Sequence, residues 1–92
     1  MNIYTDFDWK IFSWVRRGSR RTKVLKYLYE VKQPLTATEV KKHQKIDITQ
    51  AAFTLTELWQ KGLVDCLNPD DHHGKLFVIT KKGKDIIKKL VK

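Results

Sequence analysis

The spacing of apolar residues changes character once along this chain, and that change limits the possible folds more than any other feature. From Ser19 to Trp59 apolar side chains recur three and four residues apart, the period that lines them up on one face of a helix. After Gly62 come two short strand-like runs, Leu63–Leu67 and Lys75–Ile79. They are separated by Asn68-Pro69-Asp70-Asp71-His72-His73-Gly74. A cluster of turn formers between two such runs predicts a hairpin with a long tip. Helices, then a hairpin, then a helix again make an α+β chain.

The helix boundaries are marked by local chemistry. Val24, Leu25, Leu28 and Val31 form the stripe of a helix expected to start with Ser19 as N-cap and to end at Pro34. Thr36-Ala37-Thr38-Glu39 is a capping box. It predicts a short helix to about Gln44 that buries Ala37 and Val40. Asp47 and Gln50 then open a third helix, about 47–61, with Ile48, Ala51, Ala52, Leu55, Leu58 and Trp59 on its apolar face. Gly62 ends it as a left-handed cap. The tight turn between the second and third helices predicts a helix-turn-helix. Thr80 caps a last helix with a stripe of Ile86, Ile87, Leu90 and Val91. Ahead of these, Trp9, Ile11, Phe12, Trp14 and Val15 fit a short helix by spacing and a strand by aromatic content. The expected architecture is a winged helix-turn-helix over residues 19–92, with an extra N-terminal segment, 1–18, and a C-terminal helix. The aromatic segment either caps the core or joins two subunits.

Ninety-two residues make one small domain. A core this small is marginal, so dimerisation is the natural way to bury more surface. Nineteen Lys and Arg against ten Asp and Glu give a net charge of +9. That excess favours polyanions, nucleic acid before membrane surface, over a merely solvated lysine-rich exterior. The charge is uneven: residues 19–45 carry +6, residues 46–74 carry −4, and residues 75–92 carry +6. No apolar run is long enough to span a membrane, no signal peptide is evident, and a single cysteine, Cys66, excludes an internal disulfide. A cytoplasmic location is expected. No nucleophile and base are suitably spaced and the glycines are scattered, so neither enzymatic activity nor a cofactor is expected. Asp70, Asp71, His72 and His73 read as a polar turn rather than a metal site. Cys66 reads as a small hydrophobe.

The segments Lys61-Gly62-Leu63-Val64-Asp65-Cys66-Leu67-Asn68-Pro69 and Gly74-Lys75-Leu76-Phe77-Val78-Ile79-Thr80-Lys81-Lys82-Gly83-Lys84 resemble archaeal winged helix-turn-helix regulators, broadly of the MarR and ArsR superfamily. The resemblance covers about residues 19–91. It implies a DNA-binding transcription regulator, usually a homodimer, and names no effector. It also implies that the third helix enters the major groove of double-stranded DNA, with Thr49, Gln50, Phe53, Thr54 and Glu57 on the reading face. Residues 46–60 contain no basic side chain. Base contacts would then come from Thr49, Gln50, Phe53 and Thr54, through amide pairing and thymine-methyl contact. Phosphate contacts would come from Lys41, Lys42, Lys45 and Lys75. Arg16, Arg17, Arg20 and Arg21 either clamp phosphates or pair with Glu30, Asp6 and Asp8. Trp9, Phe12, Trp14, Ile87 and Val91 are the candidates for the dimer interface. The alternative is a winged-helix protein-interaction module that uses the acidic and aromatic face around Phe53.

Overall fold

The computed structural model describes residues 7–91. Asp6 and Lys92 therefore lie outside the described residues, as does most of the start of the aromatic segment. Five helices and a two-stranded antiparallel sheet follow in the order α1 (Trp9–Arg17), α2 (Ser19–Val31), α3 (Ala37–Gln44), α4 (Ile48–Gln60), β1 (Val64–Cys66), β2 (Phe77–Ile79) and α5 (Lys81–Leu90).

Residues 9–17 resolve as helix because Asp8 caps them, its carboxylate accepting the Ile11 amide at 3.0 Å. Arg16 and Arg17 in the last turn complement the helix dipole. Ser19 does not cap α2, contrary to expectation. Gly18 holds that position in an extended conformation, and Ser19 is already helical. Nor does Pro34 end the helix. Lys32 turns into the left-handed region at φ 60°, and its amide closes on the Leu28 carbonyl. Both halves of the Thr36–Glu39 capping box form, as the sequence predicts.

The strands are shorter than their apolar runs. Pairing aligns Val64 with Ile79, Asp65 with Val78 and Cys66 with Phe77. Hydrogen bonds from Thr80 to Leu63 and from Leu67 to Leu76 extend the ladder at both ends. Leu35, between α2 and α3, adds an isolated antiparallel bridge on the other edge of β2: it and Phe77 exchange both backbone bonds at 2.9 Å. The bridge clamps the helical half onto the hairpin, and it had no signal in the sequence.

One core joins the two halves. Val24, Leu25, Leu28, Val40, Leu55, Leu58, Leu63 and Ile86 are all essentially inaccessible, and Val15 carries α1 into the same core. Ile87 is also completely buried in this core, so it is not available to a subunit interface. The stripe of α5 points inward at Ile86 and Ile87 and emerges at Val91, which is 53% exposed.

Candidate nucleic-acid interface

The helix pair at the centre of the candidate site is set by a tight turn. Lys45 adopts the left-handed conformation at φ 56° and closes α3 on the Lys41 carbonyl. Asp47 then opens α4, its amide donating to the Gln50 side-chain oxygen at 3.2 Å. Lys41, Lys42 and Lys45 are all exposed at this corner.

The outward face of α4 differs from the expected one by a rotation. Ile48, Thr49, Ala52, Phe53 and Thr56 are exposed, whereas Thr54 is 1% exposed. Its hydroxyl donates to the Gln50 carbonyl at 2.8 Å. A threonine whose hydroxyl is satisfied within its own helix packs inward much as valine does. Thr54 therefore faces the core and cannot reach a base edge from where it stands. Ile48 and Ala52, assigned by periodicity to the buried stripe, take its place outside. Gln50 is half-buried, and the Asp47 cap already uses its carbonyl oxygen. Glu57 turns away toward α2, with its carboxylate 3.8 Å from the Arg21 guanidinium.

Arg21 is a structural residue. It donates to the Trp14 carbonyl, its guanidinium carbon lies 4.1 Å from the centre of the Trp14 ring, and it reaches Glu57. Lys61 sits over the same ring at 5.3 Å. These contacts tie α1 to α2 and to the far end of α4. The expected pairing of the arginines with Glu30 or Asp8 does not form; Asp8 pairs with Lys82 at 3.2 Å. Arg16, Arg17 and Arg20 are exposed.

The hairpin tip is organised by Asn68. Its amide donates to the Asp71 carboxylate at 2.8 Å and to the Gly74 carbonyl at 3.2 Å, while its oxygen accepts the Leu76 amide at 2.7 Å. Gly74 supplies the positive φ, 68°, that closes the tip. This compact wing faces α4 across a groove of about 390 Å³. Thr36 and Thr38 line the groove from α3, Ile48, Ala52 and Thr56 from α4, and His72, His73 and Lys75 from the wing. Lys75 thus joins the outward face of α4, whereas Lys41, Lys42 and Lys45 stand at the other end of α3 and do not line the groove. Among the described residues no cluster of three His, Cys, Asp or Glu is placed to hold a metal ion. Cys66 is buried in β1.

Among the dimer candidates, Trp9 is 43% exposed. It meets Phe7 and Phe12 edge-on, with ring centres 4.6 and 5.5 Å away. Trp14 is half-buried under Arg21.

The sequence matches no protein-family model and no curated protein. Solved structures do match. Apo wild-type MarR from Escherichia coli is 30% identical with a TM-score of 0.66, over 77% of this chain and 53% of that one. A cysteine-to-serine variant of the same protein, complexed with operator DNA, is 29% identical with a TM-score of 0.70, over 85% of this chain and 56% of that one. The multiple antibiotic-resistance repressor of Listeria monocytogenes is 20% identical with a TM-score of 0.69, over 79% of this chain and 48% of that one. The chain spans about half the length of these proteins. Its five helices and two-stranded wing are arranged as in the MarR-like winged-helix regulators.

Proposed function

We propose that this chain is a non-enzymatic, DNA-binding transcription regulator of the MarR-like type, acting in the cytoplasm as a homodimer. The observation that carries this reading is the shared groove between the outward face of α4 and the wing, in a fold whose operator-bound counterpart is known. The α4 helix enters the major groove and reads bases through Thr49, Phe53 and the free amide N–H groups of Gln50. Ile48 and Ala52 add apolar surface for thymine methyls. Lys41, Lys42 and Lys45 beside the turn, and Lys75 on the wing, hold phosphates. Residues 1–18 supply the subunit contact through Trp9 and Phe12.

One observation favours a second reading. Phe53 and Ile48 are 59% and 42% exposed on a helix with no cation between residues 46 and 60, which suits a protein partner. Salt separates the two. Binding through four phosphate contacts weakens with a log–log slope of about −3 to −4 as salt rises. Fluorescence anisotropy with labelled duplex DNA should show that slope. Changing Lys41, Lys42 and Lys45 to Glu should reduce affinity at least a hundredfold, on the order expected for reversing three phosphate contacts. Affinity indifferent to salt and to these changes would favour the protein-binding reading.

A further inference from the structure

A second groove, of about 500 Å³, lies where α2, β2 and α5 meet, and it shares no residue with the groove beside α4. Its apolar lining comes from Leu28, Pro34, Val78 and Ile79. Lys32, Lys84 and Lys88 stand on its wall with Tyr29 and Gln33, and no acidic side chain lines it. All three lysines are exposed, and among the described residues none is paired with a carboxylate.

The backbone of β2 is open on this side. Antiparallel pairs alternate between hydrogen-bonded and non-bonded. Thr80 and Leu76 bond across to Leu63 and Leu67, so in this register Val78 also faces β1, while Phe77 and Ile79 face the other way. Phe77 is satisfied by Leu35. The next bonded partner for Ile79 in that direction would be Gln33, but no such bond forms. Among the described residues the Ile79 amide and carbonyl have no hydrogen-bond partner.

We propose that this groove receives an extended, acidic peptide segment of a partner protein. The segment pairs with the backbone of Ile79 and sets its carboxylates against Lys32, Lys84 and Lys88. The chemistry selects this occupant. An open amide and carbonyl side by side require both an acceptor and a donor, which a peptide backbone supplies when it adds to a sheet edge. A phosphodiester or a small carboxylate offers acceptors only and leaves the Ile79 carbonyl unpaired. The charged residues of the rim, all lysines, complement acidic side chains and repel basic ones. Apolar side chains alternating with the acids would lie on Leu28, Pro34 and Val78.

A blocked, fluorescein-labelled hexapeptide of alternating Glu and Val is the probe, with Gln-for-Glu and Lys-for-Glu peptides beside it. Fluorescence polarisation at low salt should show saturable binding of the Glu peptide, and binding of the Gln peptide weaker by about tenfold, the sum of a few exposed ion pairs. The Lys84→Glu, Lys88→Glu double variant alters only exposed side chains, and circular dichroism should show it folded. It should lose the Glu peptide by a similar factor and bind the Lys peptide instead. Hydrogen exchange of the Ile79 amide should slow when the Glu peptide is bound. Absence of saturable binding, equal affinity for the Glu and Gln peptides, indifference to the double variant, or unchanged exchange at Ile79 would each overturn the proposal.

Discussion

Asp8 accepts the Ile11 amide at 3.0 Å and lies 3.2 Å from the Lys82 ammonium, so one carboxylate both starts α1 and ties it to α5. The Ile11 amide is the main reason its carboxyl titrates below the usual carboxylate range; burial opposes this, and Lys82 adds to the lowering. A carboxyl held low in the folded state contributes stability above its unfolded pKa, about 3.9, and loses that contribution as pH falls through the folded value. Asp8→Ala should therefore cost about 1 kcal/mol at neutral pH, a fall of roughly 4–8 °C in Tm for a domain of this size. The gap between variant and wild type should shrink below about pH 4. Thermal melts at pH 7 and pH 3 measure it, and a gap of equal size at both would show that the ionised carboxylate is not the stabilising group. Thr54 makes a different point at the same scale: one internal hydrogen bond, to the Gln50 carbonyl, turns a polar residue into a core residue and removes it from the outward face of α4.

Among the elements, α5 packs against the Leu63 backbone at Gly83, where no side chain would fit. Its Thr80 cap accepts the Gly83 amide and donates to the Gly62 carbonyl, so the start of α5 is bound to the end of α4. A methyl group at Gly83 would run into the Leu63 carbonyl oxygen and the Ile79 side chain. Two effects of Gly83→Ala compete. Helix propensity favours alanine by about 1 kcal/mol, while overpacking against a backbone carbonyl costs about 1–3 kcal/mol. The carbonyl is part of the Leu63–Thr80 rung and cannot swing aside, so the clash should win. Urea denaturation should show a net loss of about 1 kcal/mol or more; a stabilised variant would mean that α5 can slide on the hairpin. This is the physical content of the Thr-Lys-Lys-Gly-Lys signature at residues 80–84: a cap followed by the one residue small enough for the approach.

At the scale of the molecule, the candidate surfaces lie apart. The groove between α4 and the wing lies apart from the lysine-rimmed groove by α5, and the aromatic cluster of Phe7, Trp9 and Phe12 forms a third surface beside Lys89. The Arg21–Trp14 stack with Glu57 runs from that cluster's helix to α4, so a subunit contact made through α1 would orient α4. Light scattering should find twice the 10.9 kDa chain mass at micromolar concentration. Trp9→Ala should shift it to monomer while Phe53→Ala leaves it unchanged. A monomer in the wild-type chain would reassign Trp9 to capping its own aromatic cluster.

The order of elements was legible in the residues alone because its signals are local. The Thr36–Glu39 box, the Asp47 opening of α4, the glycine after it and the Thr80 cap each act over three or four residues, and each forms as the sequence predicts. The site was less legible. A stripe repeating at 100° per residue leaves its own edges open by one position, so Thr54 and Ile48 exchanged sides only when α4 met α2 and the hairpin. The burial of Ile87 in its own core rather than against a partner, the partner of Arg21, the bridge at Leu35 and the open edge at Ile79 all depend on residues far apart in the chain. Those contacts exist only once the packed helices bring distant side chains together, and no local pattern encodes them.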